Sequence, residues 1–388
     1  MSYRFPLATT TWDEAEYEAL QRVIAAGTFT MGRAVHEFEN RFADWQGSRY
    51  SVMVNSGSSA NLLMIAALMF TGNEKLRLKA GDEVIVPAVS WATTYYPVSQ
   101  YGLKLKFVDI DIETLNFDLE SLRNAITDRT RAVLAVNLLG NPNDFSSIME
   151  IIGRRNILVL EDNCEAMGAK FEGRRSGSFG VMGTFSTFFS HHISTMEGGL
   201  IATDDEELYH ILLSLRAHGW TRNLPKHNLV TGTKSDDDFD ESFKFVLPGY
   251  NVRPLEMSGA LGIEQLKKLP SIISARRDNA ALFCEVMSEH PDLMIQKEIG
   301  ESSWFGFSLV IRGGSDLTRK ALVERLNNVG LESRPIVAGN FTRNPVINHL
   351  YSEIAGELVN ADHVHNYGVF IGNHHYEIRD AISALGAL

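Results

Sequence analysis

The sequence predicts an α/β fold: a mostly parallel central sheet flanked by helices, followed by a smaller C-terminal α+β domain. Three observations predict it. Short apolar runs rich in branched residues alternate with helix-spaced stretches through the first two thirds of the chain. Past Pro270 the pattern changes to a long helix followed by strand, helix and strand. The 388 residues are also enough for one large and one small domain with a substantial core.

In order, Tyr50–Val54, Glu83–Pro87, Lys104–Val108, 132–136 and 157–160 read as strands. Between them, 58–70, 119–126 and Phe145–Ile152 carry apolar residues at helical spacing. Such alternation argues for a sheet covered on both faces. Segment 204–217 reads as a helix with an acidic first turn, which suits a helix N-terminus. The polar, acidic stretch 231–241 reads as an exposed loop, and 254–269 is helical again. In the smaller domain, 304–311 alternates like a strand, 317–328 like a helix and 332–337 like a second strand. The expected division is 1–270, with an N-terminal arm, and 271–388.

A net charge of −12 argues against non-specific binding to nucleic acid or to an anionic membrane, though not against a phosphorylated small substrate. The first twenty residues lack a basic start and apolar core, and the longest apolar run, 62–70, is too short to span a membrane. Two cysteines, Cys164 and Cys284, give neither a disulfide framework nor metal-ligand spacing. The expectation is a soluble cytoplasmic protein with no metal site.

Six segments carry candidate chemistry. Asn55 to Asn61 (NSGSSAN) follows a strand and opens a helix, where free N–H groups and the small residues Gly57 and Ser58 form a phosphate cradle. Ser and Gly before a helix are also ordinary caps. Trp91 follows the next strand, Asp162 and Glu165 end the fifth, and carboxylates at strand ends also serve as turn formers. Gly183 to Gly199 reads GTFSTFFSHHISTMEGG and includes Ser186 and His191. Finally, Leu215 to Trp220 (LRAHGW) includes His218, and Gly249 to Pro254 (GYNVRP) includes Asn251 and Arg253.

These segments, in this order, resemble the pyridoxal phosphate (PLP)-dependent sugar aminotransferase and dehydratase family, which has the aspartate aminotransferase fold (PLP fold-type I). The likeness covers most of the chain. It implies that Gly57 and Ser58 bind the cofactor phosphate, Trp91 stacks on the pyridine ring and Asp162 pairs with the ring nitrogen. Ser186 matches the family serine. Asn251 would reach the phosphate from a neighbouring subunit, which implies a homodimer with shared active sites. Glu165, His218 and Arg253 become candidate substrate contacts.

His191 stands where the family has its cofactor lysine. Lysine forms a Schiff base with the cofactor aldehyde, whereas imidazole holds no stable one. The resemblance therefore implies non-covalent PLP or pyridoxamine phosphate (PMP), with His191 as catalytic acid/base. Its reference pKa of about 6.5 is better poised near neutrality than that of lysine, about 10.4. His192, at an asparagine position of the family, is expected to support it. The implied reaction is C3 dehydration of a nucleotide-linked 4-keto-6-deoxy sugar with L-glutamate as amino donor, and GDP-4-keto-6-deoxymannose is the substrate the likeness points to. An iron–sulfur-dependent dehydratase is disfavoured, since such clusters normally need four thiolates. A nucleotide-sugar aminotransferase with another tethering lysine, or a non-catalytic PLP-fold binding protein, stays open at this point.

Overall fold

The structure, a computed structural model, describes residues 3–386. Five strands come first: β1 (Tyr50–Val54), β2 (Glu83–Pro87), β3 (Lys104–Val108), β4 (Thr130–Val136) and β5 (Leu158–Asp162). A small hairpin, β6 (Lys170–Phe171) and β7 (Arg174–Arg175), leads to β8 (Met182–Ser186) and β9 (Gly199–Thr203). A second, β10 (His227–Asn228) and β11 (Gly232–Thr233), precedes β12 (Leu293–Met294), β13 (Gly306–Ile311), β14 (Ser333–Arg334), β15 (Ser352–Ile354) and β16 (Gly368–Gly372).

Among the described residues, eight strands form the main sheet in the order β1-β9-β8-β5-β4-β2-β3-β15. The pairs joining β8, β5, β4, β2, β3 and β15 are parallel, and only β9 runs against its neighbours. The expected mostly parallel sheet is therefore present. β8, β9 and β15 extend it beyond the five strands read from the sequence. Sequential parallel strands need crossovers, and helices supply them.

Helices α1 (Glu14–Ala26) and α2 (Arg33–Gln46) precede the sheet. Next come α3 (Gly57–Phe70), α4 (Ala92–Gln100), α5 (Leu119–Ala125), α6 (Phe145–Ile152), α7 (Glu206–Leu215), α8 (Asp238–Ser242), α9 (Glu256–Met287) and α10 (Arg319–Asn328). Alternate residues of β2 and β4 face opposite cores. Val84, Val86 and Leu134 pack with α3, α4 and α7, while Ile85, Val133 and Ala135 pack with α5 and α6. Burial on both faces explains why these strands read as unbroken apolar runs.

The acidic stretch expected as a loop holds β11 and most of α8, though most of its side chains are exposed. The two helical stretches around Pro270 are one 32-residue helix, α9, with the proline inside it. Leu266, Leu269, Ile272 and Ile273 of α9 join the core under α2, β8 and β9. From Ala280 onwards the helix packs on a separate core around the antiparallel sheet β12-β13-β16-β14. Phe5 also leans on that second core and bridges to Leu331, so the first residues pair with the C-terminal third of the chain.

Candidate active site

Strands β1, β2, β4, β5 and β8 all run the same way, so their C-terminal ends share one edge of the sheet. That edge is where parallel α/β sheets bind ligands. A cavity of about 360 Å³ opens there, lined by Gly57, Ser58, Trp91, Asp162, Glu165, Ser186 and His191 among others. Seven of the ten expected site residues are thus brought together from four separate segments.

The cradle follows from the local sequence. Ser56 caps α3, its Oγ accepting from the Ser59 N–H at 3.1 Å. The first-turn N–H groups that follow have no intrahelical acceptor. Gly57 has no room for a side chain, because a Cβ there would sit 2.7 Å from Ser186 Cβ. Gly199 explains part of the EGG motif: a Cβ on it would lie 2.3 Å from the Ser56 carbonyl oxygen, so glycine lets β9 back directly onto the cradle.

Asp162 is the last residue of β5 and is buried. Its Oδ2 accepts from Asn61 Nδ2 and Thr94 Oγ1, both at 2.8 Å, and its Oδ1 accepts from the Cys164 N–H at 3.1 Å. Three donors from α3, α4 and the following turn hold the carboxylate at the cavity wall. Trp91, the N-cap of α4, is 59 % exposed on the cavity wall and is not a core residue. Glu165 lines the cavity but accepts a hydrogen bond from the Leu139 N–H at 3.0 Å, and burial raises its pKa.

His191 lies between Phe188 and Phe305, with ring centroids 5.9 and 5.2 Å away. Its Nδ1 is buried without a hydrogen-bond partner. Desolvation, with help from the positive charges of Arg334 and Arg276, pushes its pKa down to about 3. The reference value of 6.5 therefore does not describe this histidine; near neutrality its imidazole is uncharged and can only accept a proton. His192 is fully buried and turns away to the Ser303 carbonyl oxygen at 3.1 Å, consistent with a supporting part.

His218, Asn251 and Arg253 do not line this cavity. They gather elsewhere, around Trp220. The His218 ring lies 4.7 Å from Trp220, the Arg253 guanidinium 5.7 Å from it, and Arg253 Nε donates to Asn251 Oδ1 at 3.0 Å. Phe243 and Phe245 border the same cluster and are more than half exposed.

Several cavity residues carried no usable sequence signal. Asn61 lies one turn inside α3, Thr94 in the first turn of α4, Phe305 precedes β13, and Arg334 ends β14. Arg334 forms no ion pair among the described residues and stacks 4.7 Å over Phe370. Cys164 lines the cavity, whereas Cys284 packs on the second core. Among the described residues no cluster of His, Cys, Asp and Glu is arranged to hold a metal ion, no lysine lines the cavity, and no helix is long and apolar enough to cross a membrane.

Known proteins resemble this chain over nearly its whole length. The chain is 62 % identical over 382 residues to GDP-4-keto-6-deoxy-D-mannose 3-dehydratase of Escherichia coli O55:H7, covering 98 % of both chains. It superposes with a TM-score of 0.98 on the E. coli enzyme of that name with bound hydrated PLP, at 60 % identity, covering 100 % of this chain and 99 % of that one. A mutant GDP-4-keto-6-deoxymannose-3-dehydratase with bound GDP-perosamine superposes at 0.97, with 61 % identity and 99 % of each chain covered. Residues 10–382 match the model of the DegT/DnrJ/EryC1/StrS aminotransferase family, and the chain belongs to that family.

Proposed function

We propose that the protein removes the C3 hydroxyl of GDP-4-keto-6-deoxy-D-mannose, giving GDP-4-keto-3,6-dideoxymannose. PLP and PMP are its cofactor forms and L-glutamate the amino donor. Glutamate is also the reductant: its conversion to 2-oxoglutarate and ammonia supplies the two electrons that replace the C–O bond by C–H. The observation that carries this reading is His191, a histidine on the cavity where the family has lysine, with no lysine beside it. An aminotransferase that holds its cofactor covalently has no candidate tether there.

The residues present fit a phosphorylated pyridine. The α3 N-terminus is open, glycine at 57 keeps the approach clear, and three donors aim the Asp162 carboxylate. When bound, the cofactor supplies the amino group and an electron sink. Asp162 holds a proton at the ring nitrogen, Gly57 and Ser58 hold the phosphate, and Trp91 covers the ring. Ser186 lies against Gly57 and limits that end of the cavity. Arg334, which forms no ion pair among the described residues, meets an anionic group of glutamate or of the substrate. Asn251, with Arg253 and His218 beside it, completes the site from a second copy of the chain.

His191 takes a proton first, because its neutral form is the resting one, and then delivers it to the departing C3 hydroxyl. Anionic groups entering the cavity oppose the charges of Arg334 and Arg276, raising its basicity for that task. Phe188 and Phe305 flank the imidazole and lower its contact with water. Incubation with glutamate and GDP-4-keto-6-deoxymannose tests the reading by mass. The expected product is lighter by one oxygen, with 2-oxoglutarate and ammonia released. A 4-amino sugar would refute it.

A further inference from the structure

The loop 186–197 carries His191, and most hydrogen bonds made by its residues 188–196 stay within it. Phe189 N–H donates to the Met196 carbonyl oxygen at 3.0 Å, Thr195 N–H to that of Thr187 at 2.9 Å, and His191 N–H to that of Phe188 at 2.9 Å. Such bonds shape the loop without fixing it to the protein. Among the described residues, three hydrogen bonds of 188–196 reach beyond that loop. One is His192 to Ser303. The other two grip Ser194 from both sides: its N–H donates to Gln265 Oε1 at 2.9 Å, and its carbonyl oxygen accepts from Trp12 Nε1 at 3.0 Å.

Both grips are themselves anchored. Gln265 sits on α9, is fully buried, and donates to the Thr11 carbonyl oxygen at 3.2 Å and to Glu16 Oε1 at 2.7 Å. Thr11 Oγ1 donates to Gln265 Oε1 at 2.5 Å. Glu16 in turn accepts from Lys268 at 2.6 Å. Trp12 packs edge-on to Tyr17, 6.0 Å between rings. The same N-terminal segment is tied to the opposite wall: Phe5 N–H donates to the Gly330 carbonyl oxygen and Glu332 N–H to that of Phe5, both at 3.0 Å, while Leu7 N–H donates to Glu332 Oε2 at 2.9 Å. Glu332 immediately precedes β14, which carries Arg334.

A covalent link to the cofactor would pin such a loop chemically; a histidine at this position has no such link. We propose that Trp12 and Gln265 are positioning residues that hold His191 through Ser194, doing by hydrogen bonding what a covalent tether would otherwise do. The proposal rests on the acid/base reading of His191 for its kinetic consequence, but not for its structural one.

The test is Trp12→Phe, which keeps a ring against Tyr17 and removes only the N–H donor. In protein without substrate, amide hydrogen exchange of 188–196 should quicken while that of α9 stays as in the wild type. Arg4→Ala, which removes an exposed pair with Asp380 at the far end of the same segment, should leave 188–196 unchanged. Turnover should fall about tenfold, the order expected when a reacting group is slightly misplaced, with KM for the sugar unaltered. In a His191→Asn background the same substitution should cost nothing further. Trp12→His, which keeps a ring N–H, should recover protection and turnover together. Should Trp12→Phe not fold, Gln265→Met makes the same comparison from the other side of Ser194.

Unchanged exchange in 188–196 would overturn the proposal, as would an equal loss of turnover with and without His191. The exchange measurement needs no substrate, so its failure is separable from failure of the dehydration reading.

Discussion

The residues around Asp162 and those around Trp220 are built in opposite ways. Gly57, Trp91, Asp162 and Ser186 sit at or just past the C-terminal ends of neighbouring strands, so one sheet edge brings them together. His218, Asn251 and Arg253 lie on irregular backbone between α7 and α9, and His218 holds a positive φ of 61°. Their neighbours are exposed aromatic rings rather than core. The first group makes a cavity inside one chain; the second presents polar groups outward. On the proposed reading, a second copy of the chain would lend this outward group to the cavity.

That contrast can be broken experimentally. The largest effect should come from the cavity side: His191→Asn is expected to lose about 10²–10⁴-fold in turnover, the scale of general acid–base catalysis, while still binding PLP or PMP by absorbance titration. Near-normal turnover would remove His191 from the reaction. Asp162→Ala should weaken cofactor binding and also lower stability by about 1–3 kcal/mol in urea unfolding, because Asn61 and Thr94 lose a buried acceptor. A variant as stable as the wild type would show that those donors find water instead.

The Trp220 side should behave differently. Asn251→Ala is expected to reduce cofactor affinity by roughly 0.5–1.5 kcal/mol, one hydrogen bond's net worth. Mixing it with His191→Asn after dissociation and reassembly should restore about a quarter of wild-type sites, since a two-fold dimer then contains one intact site in each mixed pair. Failure of complementation would mean that both groups serve one chain.

The smallest expected effect is electrostatic. The pKa of His191 is lowered to about 3 and that of His374 to about 4 on folding, from about 6.5. The unfolded chain thus binds more protons across that window. The stability these groups contribute is present above about pH 6.5 and is lost as pH falls towards their folded values. Urea midpoints should decline from pH 7 to pH 4, and His191→Asn should flatten the decline slightly. A steeper decline in the variant would contradict a resting neutral imidazole at residue 191.

Legibility in the sequence followed the same division. β1, β2 and β3 have the bounds that their branched apolar runs indicate, because strands buried on both faces advertise themselves locally. β8 and β9 went unread, since the glycines and serines that let them pack on the cradle dilute the apolar signal. Pro270 looked like a boundary but lies within α9, where packing on both sides outweighs the missing N–H. Gly57, Ser58 and Asp162 could be picked out because the chain turns at them. Asn61, Thr94 and Arg334 could not, because their use depends on which distant strand ends meet. Arg334 in particular belongs to a two-residue strand that was expected to run to residue 337; the chain instead turns at Val337, with φ 47°.

On the proposed reading, His191 meets the cofactor as a free base and not as the remnant of a tether. Borohydride reduction of the PLP-loaded protein, followed by intact mass, tests it directly, with His191→Lys as the positive control. The wild type should keep the mass of the bare chain while the lysine variant gains a pyridoxyl group. A pyridoxyl adduct on any lysine of the wild type would contradict the account.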